Sequence, residues 1–397
     1  MSMEETLRIC DEVAGACAGC GKCTAACDSL SLAQMNLGQV AEALKGALAD
    51  ATGSQEAADA LRAADGLAQA VRGCFFCTRC VQRCEAHIDV CALMYAGREA
   101  FQDCGLIERA AWGSVQVDMQ WHVFSAYRAV YGIGYSDLTR HLDYEGHAAE
   151  GDCKAAFFPG CSLAAYNPEL TRAVFAEVEA RCGKAALIDA CCGSPLKSAG
   201  FLSRAAALED RIVDEVAASG AGKVVFTCPG CLNIVCGALV RRGMDDVECC
   251  TVAGLLQDDA PVPVPGRVRF FKACQDRDGS YLEAARALLS GAEDAGTICD
   301  GCCGAGGAVS AFSPEQQSAR VKAVLAACDA GDTLVTMCPT CTYTQAFELW
   351  QQGRDDIAVK NHLELVFGHE FDWAGVFSRL SGMWSGEYAA WLSQVLA

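Results

Sequence analysis

Residues 224–231 read VVFTCPGC, and residues 333–341 read TLVTMCPTC. Each segment is a short run of mainly apolar and β-branched residues that ends in Cys-Pro-x-Cys. Short runs of this kind, bounded by turn residues, are typical of strands. The two segments therefore predict two strands, each of which ends in a pair of thiols.

These two segments are parts of an internal repeat. Corresponding cysteines of the two copies lie 110 to 113 residues apart, and self-similarity at a fixed period indicates repeated structural units. In each copy a first strand, at 155–158 or 268–271, leads to a single cysteine, and a second strand leads to Cys-Cys-Gly. Helices are expected between the strands, which predicts βαβ units and a mostly parallel sheet in each copy.

Cap and turn residues mark the limits of these elements. Asn167 with Pro168, and Ser313 with Pro314, predict helix starts, because proline is favoured in the first turn. Gly183 and Gly220 predict helix ends. Residues 260–266 hold three prolines within five positions, which keeps the backbone extended and predicts a hinge between the two copies.

The length of 397 residues fits two or three domains. We expect an α/β protein whose N-terminal domain is α-helical. The predicted domains are a helical domain at 1–110, an aromatic helical connector at 111–150, the first repeat at 151–265, and the second repeat with C-terminal helices at 266–397.

The connector is rich in aromatic residues. It contains Trp112, Trp121, Phe124, Tyr127, Tyr131, Tyr135 and Tyr144. Their near-helical spacing favours packing in a core. The alternative is a docking surface for a partner or a quinone.

The net charge disfavours some binding partners, and the apolar pattern disfavours secretion and a membrane span. With 50 acidic against 31 basic residues the net charge is −19, which repels nucleic acid and anionic lipid over most of the surface. The N-terminus lacks the basic start and apolar run of a secretory signal, and no stretch reaches the roughly 18 to 20 apolar residues of a membrane span. We therefore expect a cytoplasmic protein without a transmembrane segment, peripheral to a membrane only through a partner subunit.

Twenty-eight residues are cysteine. In a reducing compartment disulfides are not expected, and clustered cysteines indicate metal binding or redox activity. Thiols at this density are readily oxidised, which favours an anaerobic host.

Two copies of a C-x2-C-x2-C-x3-C motif use eight of these cysteines: Cys17, Cys20, Cys23 and Cys27, then Cys74, Cys77, Cys80 and Cys84. In such a motif three thiolates hold one [4Fe–4S] cubane cluster, and the fourth turns to a second cluster. We therefore predict a two-cluster ferredoxin-like domain with crossed ligation, in which Cys27 joins the second group of three and Cys84 joins the first. Asp28 and Glu85 replace the proline that commonly follows the fourth cysteine. Zinc is the alternative, but its sites usually consist of two C-x2-C pairs.

Ten further cysteines form two sets of five, one in each repeat: Cys161, Cys191, Cys192, Cys228 and Cys231, then Cys274, Cys302, Cys303, Cys338 and Cys341. Five thiolates are one more than a single tetrahedral metal or a cubane cluster uses, so each set indicates a more extended metal site. Gly193, Gly304 and Gly306 would let backbone amides approach and donate hydrogen bonds to a bound cofactor. A helix that begins after Cys-Cys-Gly would favour an anionic group.

These sets resemble the cysteine-rich CCG domains of heterodisulfide reductases, as do the strings FPGC at 158–161, CGSP at 192–195 and CGAGG at 303–307. Two ferredoxin-type motifs followed by two CCG domains look like the fused D-type catalytic subunit of that family, and the likeness extends over roughly residues 15–365. The resemblance implies that each set of five holds a noncubane [4Fe–4S] cluster. It also implies that these ten cysteines are the catalytic groups, and that the two clusters face one another and split a disulfide with one electron from each side.

The same architecture occurs in iron–sulfur subunits of glycerol-3-phosphate, lactate or glycolate dehydrogenases, which pass electrons toward quinone. Such relatives commonly lack cysteines from one set, whereas both sets are complete here, which favours disulfide reduction. The electrons would come from a redox partner, either a flavoprotein or a membrane b-type cytochrome. No glycine-rich dinucleotide fingerprint follows a strand, so we expect no flavin in this chain.

The ten remaining cysteines have no motif around them, and we expect most of them to be buried core residues. They are Cys10, Cys91, Cys104, Cys153, Cys182, Cys236, Cys249, Cys250, Cys299 and Cys328.

Overall fold

The structure is a computed structural model that describes residues 2–107, 115–119, 122–131, 151–383 and 385. Two units divide the chain. The N-terminal unit consists of Met1–Val115, Pro195–Ala205 and Gly304–Gln317, and the sheet unit consists of Gln116–Ser194, Ala206–Cys303 and Ser318–Ala397. The N-terminal unit therefore contains one short segment from each repeat besides its own helices.

The first part of the N-terminal unit is helical, as predicted. Its helices are α1 (Met3–Ala16), α2 (Lys22–Ala26), α3 (Asp28–Ala33), α4 (Leu37–Ala49), α5 (Ser54–Ala63), α6 (Leu67–Arg72), α7 (Arg79–Arg83) and α8 (Val90–Asp103). Ser2 caps α1 by accepting a hydrogen bond from the Glu5 amide. Asn36 and Gln39 exchange hydrogen bonds in a capping box at the start of α4. Apolar side chains of these helices, such as Leu44, are buried and form the core of this part.

The first repeat forms a parallel four-stranded sheet. Its strands are β1 (Ala155–Phe158), β2 (Ala185–Leu187), β3 (Lys223–Phe226) and β4 (Glu248–Thr251). The strand order is β2-β1-β3-β4. Every residue of β1 is buried, as expected for a central strand of a parallel sheet that is covered on both faces.

The second repeat has the same topology. The linker strand β5 (Val262–Pro263) precedes β6 (Arg267–Phe271) and pairs with β7 (Leu289–Ser290), so the predicted hinge contributes a short two-stranded sheet. The main sheet contains β6, β8 (Glu293–Ile298), β9 (Asp332–Thr336) and β10 (Ala358–Asn361), all parallel, in the order β10-β9-β6-β8. In both sheets the first strand of the repeat lies between the second and the third. The predicted repeat and its parallel sheets are confirmed.

The other helices of the described chain are α9 (Val123–Val130), α10 (Gly160–Tyr166), α11 (Pro168–Cys182), α12 (Ser194–Ser198), α13 (Leu202–Ser219), α14 (Pro229–Arg241), α15 (Val252–Leu255), α16 (Ser280–Ala287), α17 (Pro314–Leu325), α18 (Pro339–Gln351), α19 (His362–Val366) and α20 (Trp373–Met383), with a 3-10 helix at Gly306–Ala311. The predicted starts are confirmed. The Asn167 side chain accepts from the Leu170 amide at the start of α11, and the helix ends before Gly183. Ser313 Oγ accepts from the Gln316 amide at the start of α17.

The connector is described only in part. Phe124 and Tyr127 are buried, and the Tyr127 ring packs edge-on against Tyr166 and Tyr343 at centroid distances of 4.6 and 5.8 Å. These two connector rings therefore belong to the core of the sheet unit. Trp112, Trp121, Tyr135 and Tyr144 lie outside the described residues.

A close backbone approach fixes the segment Gly304–Gln317 within the N-terminal unit. A Cβ atom on Gly307 would collide with the carbonyl oxygen of Cys74, and one on Gly306 with that of Phe75. Gly307 also has a φ of +70°, in the left-handed region that disfavours side chains. Only glycine can hold this segment so close to residues 74–75.

We predict that Gly307→Ala destabilises the protein more than Gly331→Ala does. Gly331 has a φ of +89° with nothing within 4 Å of the site of a Cβ, so alanine there costs only backbone strain, about 1 kcal/mol. At Gly307 the collision with the Cys74 carbonyl adds an overpacking cost of roughly 1–3 kcal/mol. Denaturant unfolding of both variants measures the difference, and equal losses would contradict the close approach.

Candidate metal centre

The five cysteines of the first repeat follow the carboxyl ends of three of its strands. Cys161 follows β1, Cys191 and Cys192 follow β2, and Cys228 and Cys231 follow β3. Because β1 lies between β2 and β3, the chain goes from β1 to a neighbour on one side and then to a neighbour on the other side. In parallel sheets the carboxyl ends of strands at such a reversal are the usual place for a ligand. The parallel sheet thus collects thiols that are up to 70 residues apart in sequence.

The second repeat places its five cysteines in the same way. Cys274 follows β6, Cys302 and Cys303 follow β8, and Cys338 and Cys341 follow β9. In both repeats the first cysteine of Cys-Pro-x-Cys caps a helix and the second lies in its first turn.

The two sets meet within the sheet unit. The sulfur atoms of Cys228 and Cys338, which are equivalent positions of the two repeats, lie 3.8 Å apart. The hydroxyl groups of Ser162 and Thr340 are hydrogen-bonded at 2.6 Å, and these residues are direct neighbours of Cys161 and Cys341. The structure therefore joins both sets in one thiol-lined region.

Thiol contacts run through this region without a break. In order they connect Cys161, Cys191, Cys192, Cys231, Cys228, Cys338, Cys341 and Cys303. Within the first repeat, the sulfur atoms of Cys231 and Cys192 lie 3.5 Å apart. Cys302 is buried and Cys274 is half-buried at the strand ends of the second repeat. All five members of the first set and three of the second are thus in one contact chain.

Backbone amides surround the thiols with hydrogen-bond donors. The amides of Gly193 and Ser194 donate to the sulfur atoms of Cys191 and Cys192. The amides of Thr340 and Cys341 donate to Cys338 Sγ. Donors at a helix start favour negative charge, so the backbone is arranged to stabilise thiolates or an anionic cofactor.

The pKa values of the thiols diverge because the groups are buried and hydrogen-bonded to one another. The pKa of Cys338 lies well below its usual range, because the Cys228 thiol, and then the Cys341 thiol, donate hydrogen bonds to its sulfur. The pKa of Cys192 is raised, first by its hydrogen bond to Cys191 and further by burial. The neighbouring thiols and backbone amides therefore favour negative charge at Cys338.

The residues fit an iron–sulfur cofactor. Thiolate sulfur is the donor that such clusters take, and both sets offer it in a buried site. Gly160 has a φ of +71°, and a Cβ there would lie 3.1 Å from Cys231 Sγ, so a side chain would crowd the thiols. Among the described residues, no three His, Cys, Asp or Glu side chains converge on a site for a single metal ion.

Of the three glycines predicted to bind the cofactor, two lie beside cysteines of the sets and one does not. The amide of Gly193 lies at the first set, and Gly304 adjoins Cys303 with a φ of +72°. Gly306 lies against the Phe75 carbonyl oxygen in the N-terminal unit instead.

The four-cysteine motifs come together in the N-terminal unit. Helix α2 carries Cys23, helix α7 carries Cys80, and the two helices pack together. Cys74, Cys27 and Cys77 are all close enough to Cys80 to raise its pKa, although burial raises it most. Cys27 thus lies among the first three cysteines of the other motif. An exposed ion pair joins Lys22, next to Cys23, to Glu85, next to Cys84.

One expectation about cysteines is wrong. Cys236 and Cys249 form a disulfide across a Cα–Cα distance of 6.4 Å, within the range that a disulfide spans. Helix α14 carries Cys236 and leads into β4, which carries Cys249 beside β3, so the chain path brings the two thiols together although their spacing of 13 matches no motif. The expectation that most of the unassigned cysteines are buried is also wrong. Cys10 and Cys153 are buried, Cys299 is exposed, and the others outside the disulfide are half-buried, namely Cys91, Cys104, Cys182, Cys250 and Cys328.

Sequence reasoning missed the side chains that hold the two repeats together. Besides Ser162 and Thr340, the Tyr166 and Tyr343 rings stack at a centroid distance of 4.5 Å. The Tyr281 hydroxyl, from the second repeat, donates to the Thr227 carbonyl beside Cys228 at 3.0 Å. Tyr281 lies on α16, and the other residues lie within five positions of a cysteine of the two sets. Serine, threonine and tyrosine at such positions do not by themselves predict a contact between the repeats.

Comparison with known proteins gives two kinds of match. The family described as CCG, Cysteine-rich domain, matches residues 155–235 and 268–345. An uncharacterized iron-sulfur protein of Methanococcus maripaludis is 27% identical over 315 residues, which cover 75% of this chain and 62% of that protein. A fumarate reductase (CoM/CoB) subunit of Methanothermobacter marburgensis is 25% identical over 321 residues, which cover 78% of this chain and 63% of that relative.

The chain thus spans less than two thirds of the length of these relatives. In the part of the chain that the structure describes, no helix combines the length and the apolar character needed to cross a membrane.

We predict that the hydrogen bond between Ser162 and Thr340 couples the stability of the two repeats. Ser162→Ala, Thr340→Val and the double variant form a double-mutant cycle. The expected coupling energy is about 1 kcal/mol, the net worth of one partly buried hydrogen bond. Denaturant unfolding of the four proteins measures it, and strictly additive losses would show that the contact between the repeats is absent.

Proposed function

We propose that this chain, an iron–sulfur protein with two CCG cysteine-rich domains that is related to heterodisulfide reductase-like subunits, reduces a disulfide. Two ferredoxin-type clusters in the N-terminal unit would supply the electrons. The two cysteine sets of the sheet unit would hold the clusters at which the disulfide is split. The observation that carries this proposal is the 3.8 Å approach of Cys228 to Cys338.

This approach supports disulfide chemistry because the reaction needs two electrons. Cleavage follows RSSR + 2 e⁻ + 2 H⁺ → 2 RSH, so the sulfur–sulfur bond breaks and each sulfur gains one electron and one proton. Two one-electron sites that adjoin one substrate can share this work. The equivalent positions of the repeats face one another in this way, whereas a linear relay would not require the two sets to meet.

The proposed ligands follow the contacts. Cys27, Cys74, Cys77 and Cys80 would hold one [4Fe–4S] cubane, and Cys17, Cys20, Cys23 and Cys84 the other. The grouping of Cys27 with Cys80 supports the crossed arrangement. Each set of five in the sheet unit would hold one noncubane [4Fe–4S] cluster.

The protein has defined tasks around these cofactors. When bound, the clusters supply one-electron transfer. The buried thiols exclude water, and the amides of Gly193, Ser194, Thr340 and Cys341 stabilise negative charge at the sulfur ligands. Because thiolates must form before metal binds, cofactor binding would release the protons that burial retains on thiols such as Cys192.

A redox partner completes the proposal. One relative is named as a subunit of a reductase, which supports an assembly of several different chains for this protein also. We propose a flavoprotein or a b-type cytochrome as the electron donor, and a cytoplasmic complex that contacts a membrane only through such a partner. The rival function is an electron-transfer component of a flavin dehydrogenase that delivers electrons toward quinone.

We predict that Cys27→Ser alters the cluster held by Cys74, Cys77 and Cys80, since the crossed ligand is lost. The cluster at Cys17, Cys20 and Cys23 should keep its spectrum. EPR of the anaerobically reduced holoprotein measures both signals, and Cys84→Ser is the matched variant that should reverse the pattern. A change confined to the first-motif cluster in Cys27→Ser would show uncrossed ligation.

We predict that Cys192→Ala and Cys303→Ala each abolish disulfide reduction by the holoprotein. The assay supplies an artificial one-electron donor and measures thiol release, while EPR checks that the N-terminal clusters still become reduced. Cys250→Ala is the control, because this half-buried cysteine of β4 is outside both sets.

The control should keep full activity. A wild-type protein that reduces no tested disulfide, but carries electrons from a flavin dehydrogenase to a quinone analogue, would decide for the rival function.

A further inference from the structure

Arg98 is fully buried within the N-terminal unit, with a relative exposure of 0%. Its guanidinium donates to five carbonyl oxygens. Nε donates to Val71 O at 2.9 Å, Nη2 to Arg72 O at 2.7 Å and Cys74 O at 2.8 Å, and Nη1 to Ser198 O and Gly307 O. A guanidinium has five N–H donors, so each donor makes one hydrogen bond.

The acceptors come from three separate parts of the chain. Residues 71–74 lead into the second four-cysteine motif. Ser198 lies six residues after Cys192, and Gly307 lies four residues after Cys303. All three parts belong to the N-terminal unit, so a single side chain fixes one segment from each repeat against the motif loop.

Close packing surrounds this contact. A Cβ on Gly200 would lie 2.7 Å from the Arg98 carbonyl group, and one on Gly307 would lie closer still to the Cys74 carbonyl oxygen. Gln102, one turn after Arg98 on α8, donates to Ala199 O at 2.9 Å. Arg98 is therefore at the centre of a tightly packed junction.

Burial of this cation needs an electrostatic explanation. The five acceptors are neutral carbonyl groups, which satisfy the donors but cancel no charge. The Phe76 ring, 4.9 Å from the guanidinium carbon, adds a cation–π contact. A buried charge is costly unless it is hydrogen-bonded and lies near an opposite charge.

The second motif offers that opposite charge. Cys74 is itself buried, accepts a hydrogen bond from the Phe76 amide at its sulfur, and lies within electrostatic reach of Arg98. Four thiolates with a bound cluster carry net negative charge, and reduction adds one more negative charge. A fixed buried cation nearby favours the reduced state.

We propose that Arg98 is a positioning residue that compensates the charge of the cluster at Cys27, Cys74, Cys77 and Cys80 and raises its reduction potential. The proposal rests on the proposed function, because it requires that cluster. It assigns to one residue both the electrostatics of the motif and the attachment of a segment from each repeat.

Two variants separate charge from packing. Arg98→Gln removes the cation and most of the hydrogen bonds, whereas Arg98→Lys keeps the cation and also loses most of the bonds. Both should lower the unfolding midpoint. An EPR-monitored redox titration of the anaerobic holoprotein then gives the potential of each N-terminal cluster, and the cluster at Cys17, Cys20 and Cys23 is the internal control.

We expect the second-motif cluster in Arg98→Gln to become at least tenfold harder to reduce, which is 59 mV for one electron. In Arg98→Lys the shift should be much smaller, and the control cluster should not shift in either variant. A Lys variant that shifts as far as the Gln variant, an unshifted Gln variant, or loss of the cluster in both variants would overturn the assignment. If reduced wild-type protein showed no EPR signal from either N-terminal cluster, the proposed function itself would be contradicted.

Discussion

The site depends on one constraint, the order of strands in the two parallel sheets. The first strand of each repeat lies between the second and the third, so the loops after all three strands converge at one edge. This edge carries five cysteines in each repeat. If any strand changed its place in the order, its cysteines would be removed from the others. The requirement for a common edge also explains why the cysteines are tied to strand ends and not to helix interiors.

Contacts between the repeats turn two equivalent edges into one region. The Ser162–Thr340 hydrogen bond, the Tyr166–Tyr343 stack and the Tyr281 hydroxyl on Thr227 O all lie beside cysteines of the two sets. They hold the two repeats together beside the close approach of Cys228 and Cys338.

Sequence patterns predicted the parts of this structure that depend on local chemistry. Strand runs, the Asn167 cap and the 110-residue repeat were sufficient for the sheets, and the cysteine spacing was sufficient to select the candidate ligands. The contacts of Arg98 with Ser198 and Gly307 could not be predicted, because they join residues 100 and 209 positions apart. Their acceptors are backbone carbonyl groups, which every residue has, so the residue type gives no indication of the contact. The Cys236–Cys249 disulfide was missed for a similar reason, since the path of α14 into β4 and not a spacing rule brings the thiols together. The sequence also did not predict that the segment after each Cys-Cys-Gly belongs to the N-terminal unit. That placement depends on close packing of glycine backbones, which is a tertiary contact.

The central claim is that the two sets hold clusters that face one another closely enough to share a substrate. Magnetic interaction between them is the most direct measurement. In partly reduced holoprotein with both sites paramagnetic, EPR should show splitting or enhanced relaxation of each signal by the other. Cys338→Ser, which removes a proposed ligand of the second set, should remove the interaction and leave the signal of the first set sharpened. Two independent signals, unchanged by Cys338→Ser, would contradict the account.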